Sequence, residues 1–292
     1  MADSEQSIQV TNSLRPLWDA ILAIYKEFAE LCERHSLRYC ADCGTAIGAV
    51  RHKGFIPWDD DFDIQMPRSD YEKFVEIAKS ELPPGLAWVD RFNSPSYEHA
   101  FGKIVVADKN AVGRIERELG RPLTQGVFVD VFPLDGYPDS TVCRTFRKFQ
   151  SRSWEIWPIL AKLCSRLHLV KNGERIRVLS HRRLADLSER RAKKYPFGAT
   201  KLCVSIGVSR WFDDKPYPTK FFGNPVKVPF DCSEVPVQED VDGYLRTLYG
   251  DYLKLPPESC RHPAHNGGAP KLWRFGPEQP SPSMITRGAL HA

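Results

Sequence analysis

The chain has 292 residues, 42% of them apolar and 27% charged, with a net charge of +4. That length can bury a full core as one large domain. No run of about 18 apolar residues is present, so no membrane-spanning helix is expected, and the start lacks a basic stretch followed by an apolar one, so cytoplasmic residence is expected. The eight cysteines are too sparse for a disulfide scaffold, and Cys40 and Cys43, spaced like half a zinc knuckle, have no second close Cys/His pair nearby.

The charge is uneven. Between Arg144 and Lys194 there are 15 Lys/Arg against 4 Asp/Glu, a net +11, leaving 26 against 33, or −7, for the remainder. An acidic body with a basic segment points to a metal site in the first and an anionic partner for the second, a membrane surface or anionic polymer; solvated helix faces are the plainer reading.

Along the chain, Leu14 to His35 carries apolar residues near the 3.6 period and predicts a helix. Leu37 to Cys43 predicts a short strand closed by Gly44-Thr45, Ala46 to Arg51 a helix, and Asp61 to Met66 a second strand. Ser69-Asp70-Tyr71-Glu72 has capping-box form for a helix reaching about Leu82. Strands follow at Ala87 to Arg91, Ala100 to Val106 and Gly126 to Phe132. From Thr141 to about Tyr195 the pattern is helical and basic, with a break at Lys171-Asn172-Gly173. Cys203 to Val208 and Phe221 to Phe230 predict strands, the latter a hairpin turning at Gly223-Asn224-Pro225, and Asp240 to Leu253 a last helix. The expected organisation is one catalytic domain over 14–265 with a helical basic insert at about 141–195, and disordered tails at 1–13 and 266–292.

The densest chemistry lies at Asp59, Asp60, Asp61 and Asp63, four carboxylates in five positions. Like charges at that density need a positive counterpart, for which a divalent cation is the usual one. On a strand, Asp61 and Asp63 point to one face while Phe62 and Ile64 enter the core. Asp130 interrupts the apolar run Gly126 to Phe132 and would be costly to bury unpaired. It either pairs with a basic neighbour or caps the strand, or it is a third metal-site carboxylate; the cluster at 61 and 63 favours the last. Gly44 and Thr45 ahead of a helix offer backbone N–H groups and a hydroxyl to phosphate oxygens. A strand, Gly-Thr, a helix and then Asp-x-Asp on the next strand is the order of the nucleotidyltransferase superfamily. Three carboxylates there would hold one or two Mg²⁺ (or Mn²⁺) ions for an in-line displacement.

The stretches GTAIGAVRHKGFIPWDDDFDIQMPRSDYEKF, VFVDVFPLDGYP and YLRTLYGDYLKLPP resemble the LicD family of phosphotransferases, over about Leu14 to His265. The resemblance implies an α+β, nucleotidyltransferase-like mixed sheet flanked by helices. It also implies transfer of a phospho-alcohol such as phosphocholine from a CDP-linked donor to a sugar hydroxyl of a glycan, teichoic acid or lipid-linked polysaccharide, with release of CMP. It matches Asp61 and Asp63 to the family's metal pair, Asp130 to a third ligand and base, and Gly44 and Thr45 to the phosphate-contacting turn. Arg51 and Lys53 match the basic loop that reaches the diphosphate, although Arg51 could equally pair with Asp59 or Asp60. Lys103 is either a phosphate contact or an ion-pair partner. Asp59, Asp60 and Trp58 are supporting candidates, Trp58 as a core residue or a stacking platform, and His262 and His265 follow the last helix without an assigned role. Cys43 and Ala46-Ile47 depart from the commoner family residues without touching a charged group. A nucleotide-sugar glycosyltransferase, an NTP-dependent nucleotidyltransferase and a non-catalytic glycan-binding protein are the rival readings, and no nucleic-acid partner is expected.

Overall fold

The computed structural model describes residues 2–94, 97, 99–145, 168–171, 174–177, 186, 189–205, 215–263 and 265. Helix α1 (Ala2–Arg34) begins N-terminal to the expected Leu14, and from Leu14 onward its apolar stripe is buried: Leu17, Ile21, Tyr25, Phe28 and Cys32 face the sheet. Strand β1 (Cys40–Ala41) is shorter than expected, because Asp42 leaves it to cap α2 (Cys43–Arg51), accepting from the Cys43 N–H at 2.8 Å. Then come β2 (Asp63–Pro67), α3 (Arg68–Glu81), β3 (Leu86–Val89), β4 (Gly102–Val106), α4 (Lys109–Leu119) and β5 (Phe128–Tyr137).

The strand order is β1-β2-β5-β4-β3, with β2 and β5 parallel and the other pairs antiparallel. Strand β5 is longer than the sequence indicates because it changes neighbour halfway. Its first half pairs with β4, and from Leu134 onward it pairs with β8 (Leu202–Ser205), which in turn pairs with β9 (Tyr217–Pro218). Pro133 sits at the changeover, where a missing N–H costs no ladder bond on that edge. Alternation along β2, β5 and β4 sends Ile64, Val129, Val131 and Ile104 into the core beneath α1 and α3. The opposite face carries Asp63, Asp130 and Lys103. This is the mixed, helix-flanked α+β sheet that the sequence indicates.

Other expectations are corrected. The strand at 61–66 begins at Asp63, with Asp61 and Phe62 in the preceding loop, tied to the sheet by Asp130 N–H donating to Phe62 O at 2.9 Å. No capping box forms at Ser69: α3 starts one residue earlier, behind Pro67, without a side-chain cap. Helix α4 was not foreseen, although Asp108 as N-cap, Gly120 at φ 67° as stop, and Val112, Ile115 and Leu119 on one face were its signals. In the basic segment, β6 (His168–Lys171) and β7 (Glu174–Arg177) pair as a hairpin where helix was expected; most of the rest of 141–195 lies outside the described residues, as does the 266–292 tail. The later hairpin is β10 (Val226–Phe230) and β11 (Ser233–Val237), turning at Asp231 (φ 54°) rather than at Gly223–Pro225. Arg15 grips that tip, its Nη1 lying 2.8 and 2.9 Å from the Asp231 carboxylate oxygens. Helix α5 (Val241–Tyr249) is the last α-helix among the described residues.

Phe55 joins these parts: it stacks on Trp18 at 4.9 Å and meets Phe62 and Phe230 edge-on, so helix α1, the acidic loop and the β10–β11 hairpin share one aromatic core. At the other end of β2 and β5, buried Arg68 takes buried Asp135 through two nitrogens at 2.9 and 2.5 Å. Glu189 joins the same knot and pairs with Arg91, fixing the segment that leads back from the basic insert.

Candidate active site

The site is built from a row across three strands. In the parallel register Asp63 lies opposite Asp130, and in the antiparallel register Asp130 lies opposite Lys103. All three side chains therefore share the sheet face turned away from α1. The Lys103 ammonium sits 3.0 Å from Asp130 Oδ1 and 3.7 Å from the centroid of Phe128, so it is held between a carboxylate and a ring face. The ion pair is close, yet its geometry leaves Asp130 Oδ1 without a formed hydrogen bond.

Helix α2 aims Asp63. Thr45 Oγ1, in its first turn, accepts the Asp63 N–H at 2.8 Å, and the Asp42 N–H donates to Asp63 O at 2.9 Å. The Tyr244 hydroxyl from α5 donates to the buried Asp42 carboxylate, so α5 braces the N-terminus of α2. The acidic loop closes the other side. Trp18 Nε1 donates to Asp59 O at 2.8 Å, and the Asp60 carboxylate accepts the His265 backbone N–H at 3.1 and 3.2 Å. His265 Nε2 lies 2.7 Å from Asp61 Oδ2.

The electrostatics separate the carboxylates. Burial, and then the charges of Asp61, Asp130, Asp42 and Asp59, push Asp63 well above the usual carboxylate range. Its side chain has no hydrogen-bond or ion-pair partner among the described residues. Asp130 rises to about 6, burial outweighing Lys103. Asp59 is also driven up, by burial and then by Asp61. Asp61 is the exception: burial pushes it up, but the hydrogen bond and charge of His265 and a hydrogen bond from Asp59 hold it low. His265 in turn rises to about 9, chiefly through its bond to Asp61. These are oxygen donors on one wall with too little positive charge, a set whose chemistry fits a hard divalent cation. Among the described residues no three His, Cys, Asp or Glu side chains already converge as a ligand set; Asp61 is paired with His265 and Asp130 with Lys103.

The remaining candidates divide. Gly44 lies within the first turn of α2, and a Cβ there would meet Asp59 Oδ2 at 2.5 Å, so its missing side chain admits the acidic loop. Arg51 pairs with neither Asp59 nor Asp60 through a direct contact. Its guanidinium donates to the carbonyls of Tyr252 (2.6 Å) and Lys254 (3.4 Å), which ties α2 to the chain after α5. Lys53 stands exposed at φ 55° in the turn, its carbonyl accepting the Asp231 N–H. Trp58 is half-buried against the core, with the Arg261 guanidinium 5.7 Å from its ring centroid. His262 stays local, its Nδ1 beside Pro263 O.

Sequence reasoning missed Asp42 and named His265 without a role. Asp42 gave a signal, a carboxylate just before the Gly-Thr helix. His265 gave only its place after the last helix, since a contact spanning 205 positions has no local signature.

Residues 36–158 match the family model described as LicD/FKTN/FKRP, nucleotidyltransferase domain. The chain is 30% identical over 263 residues to the lipopolysaccharide cholinephosphotransferase LicD of Haemophilus influenzae, covering 84% of this chain and 92% of the relative. Uncharacterized proteins of Rickettsia typhi (38% over 58 residues, 20% of this chain and 19% of the relative) and Rickettsia prowazekii (39% over 82 residues, 28% of each) are also similar. With the fold and the acidic row in agreement, the chain belongs to the LicD family.

Proposed function

We propose that this LicD-family transferase moves a phospho-alcohol, phosphocholine or a close analogue, from a CDP-linked donor to a sugar hydroxyl of a glycan, with release of CMP and dependence on Mg²⁺ or Mn²⁺. The observation that carries the reading is the Asp63–Asp130 pair in one register, with Asp61 beside it and Asp63 short of positive charge. The relative's name, a lipopolysaccharide cholinephosphotransferase, supports phosphocholine as the group and a surface glycan as the acceptor.

Asp61, Asp63 and Asp130 are the residues that would hold the cation, which when bound would screen phosphate oxygens from this acidic wall and stabilise charge during displacement. Asp130 is the carboxylate assigned to take the proton of an acceptor hydroxyl. Lys103 opposes the rise in its pKa that burial causes and orients the carboxylate. Thr45 and Asp42 fix the Asp63 backbone, so its carboxylate is presented without rearrangement. His265, positive at neutral pH, offsets Asp61 and lowers the barrier to an anionic donor approaching the acidic loop. The basic segment is a candidate docking surface for an anionic membrane or polymer that presents the acceptor; no helix among the described residues is long and apolar enough to cross a membrane.

The test is a donor screen with purified protein and Mg²⁺, following CMP release from CDP-choline, CDP-ethanolamine, CDP-ribitol and CDP-glycerol. Release of UDP from a UDP-sugar, or of pyrophosphate from an NTP, with no CMP from any CDP-alcohol, would overturn the proposal.

A further inference from the structure

The cationic side chains around the acidic loop are mostly committed. Lys103 is held by Asp130 and the ring of Phe128, His265 by Asp61, and Arg51 by the carbonyls of Tyr252 and Lys254. Arg261 differs. Its Nε donates to Pro256 O at 2.9 Å and its guanidinium lies over the half-buried ring of Trp58. Among the described residues no acceptor takes its Nη1 or Nη2.

Arg261 rides the same short strap as His265, and that strap is pinned across the site. The His265 N–H donates to Asp60, its ring meets Asp61, and its carbonyl accepts from Thr124 Oγ1 at 2.9 Å. Arg261 is therefore placed by groups that already belong to the acidic loop. Arg51, pushed down to about 10 chiefly by burial, also feels the charge of Arg261. A guanidinium anchored through Nε, set over a tryptophan ring and with its outer nitrogens unused among the described residues suits a planar, bidentate anion.

We infer that Arg261, backed by Trp58, binds the phosphate that stays with the leaving nucleotide. The transferred phosphate must lie within reach of Asp130 and Asp63, whereas Arg261 is set on Trp58, the residue just before the acidic loop. It takes the diphosphate role that the sequence indicates for Arg51 and Lys53, the first of which is spent on backbone carbonyls. This rests on the reading of the site as a CDP-alcohol phosphotransferase.

The experiment is isothermal titration of the full chain, with Mg²⁺, by CMP and by cytidine, which lacks the phosphate. Wild type binds CMP more tightly than cytidine. Losing a bidentate charged contact should weaken CMP binding by Arg261→Gln on the order of ten- to a hundredfold and leave cytidine unchanged. Arg261→Lys keeps charge and stem but not the fork, and should fall between; it also serves if the glutamine variant does not fold. Arg51→Gln should lower the melting temperature and leave CMP affinity as it was. CMP affinity within about twofold of wild type in both Arg261 variants would overturn the inference and leave the functional reading standing. A wild-type chain that binds neither CMP nor any CDP-alcohol would overturn both.

Discussion

Asp63 and Asp130 stand directly opposite each other on the parallel strands β2 and β5, and Lys103 continues the row from the other side of Asp130. One cation on this row serves a single carboxylate, and Asp63 is left to the repulsion of its neighbours. Stability and function pull in opposite directions at that residue.

Asp63→Asn keeps the shape and removes the charge. The variant should be more stable than wild type by roughly 0.5–2 kcal/mol, the usual gain from relieving a functional compromise. Its transfer activity should fall at least about a hundredfold, as for loss of a charge-stabilising group. Mg²⁺ should raise the melting temperature of wild type, through preferential binding to the folded state, and do so much less for the variant. Denaturation with and without Mg²⁺ reads both effects; an equal Mg²⁺ shift in the two proteins would remove Asp63 from the metal site.

Tyr244 acts at one remove from that row. Its hydroxyl donates to Asp42, which caps α2 and whose N–H holds Asp63 O. Tyr244→Phe leaves a buried carboxylate short of a partner, a loss of about 1–3 kcal/mol. Because α2 also aims Asp63 through Thr45, kcat should fall more than KM for the donor rises. A variant that loses stability with unchanged kcat would show that α5 braces the fold and not the site.

Asp63 and Asp130 were legible as facing carboxylates because strand alternation and an isolated carboxylate in an apolar strand are local signals, whereas Asp61, expected on the same strand, lies in the loop before it. Gly44-Thr45 stood out as a pair ahead of a helix, expected to meet phosphate; in the structure Thr45 orients Asp63 and Gly44 makes room for Asp59. The contacts of Arg51 were not legible, because nothing local reveals that the carbonyls of Tyr252 and Lys254, about 200 positions later, lie within its reach. The β10–β11 turn was displaced because Gly223-Asn224-Pro225 is the stronger turn signal, whereas Asp231 is held left-handed by tertiary contacts with Lys53 and Arg15. Strand β5 outran its apolar stretch because β8, far along the chain, pairs with its second half.

Gly48 gives a test of how tightly α2 is seated. A Cβ there would run into the backbone carbonyl of Gly54, while the Gly48 carbonyl accepts the N–H groups of His52 (2.8 Å) and Gly54 (3.4 Å). Backbone cannot step aside as a side-chain tip can. Gly48→Ala should therefore cost about 1–3 kcal/mol, against the gain in helix propensity that alanine normally brings. Urea unfolding decides the sign, and a stabilised alanine variant would mean that the turn at 52–54 is loose.

His52 supplies a pH dependence with a definite sign. Burial, then the charge of Arg51, lowers it from 6.5 to about 4, and its Nδ1 faces Arg51 Nε at 3.3 Å, the position of an acceptor that a proton would abolish. Between those values the unfolded chain binds the proton and the folded chain does not, so stability rises with pH there. The contribution is fully present above about 6.5 and is lost as pH falls toward 4. The ring keeps part of its solvent exposure, which screens the effect and keeps it modest. Glutamine retains an acceptor and cannot be protonated in this range. Urea midpoints at pH 7 and pH 5 should therefore drop further for wild type than for His52→Gln, whose remaining drop reports the other titrating groups. Equal drops in the two proteins would show that His52 takes up its proton in the folded chain as readily as in the unfolded one.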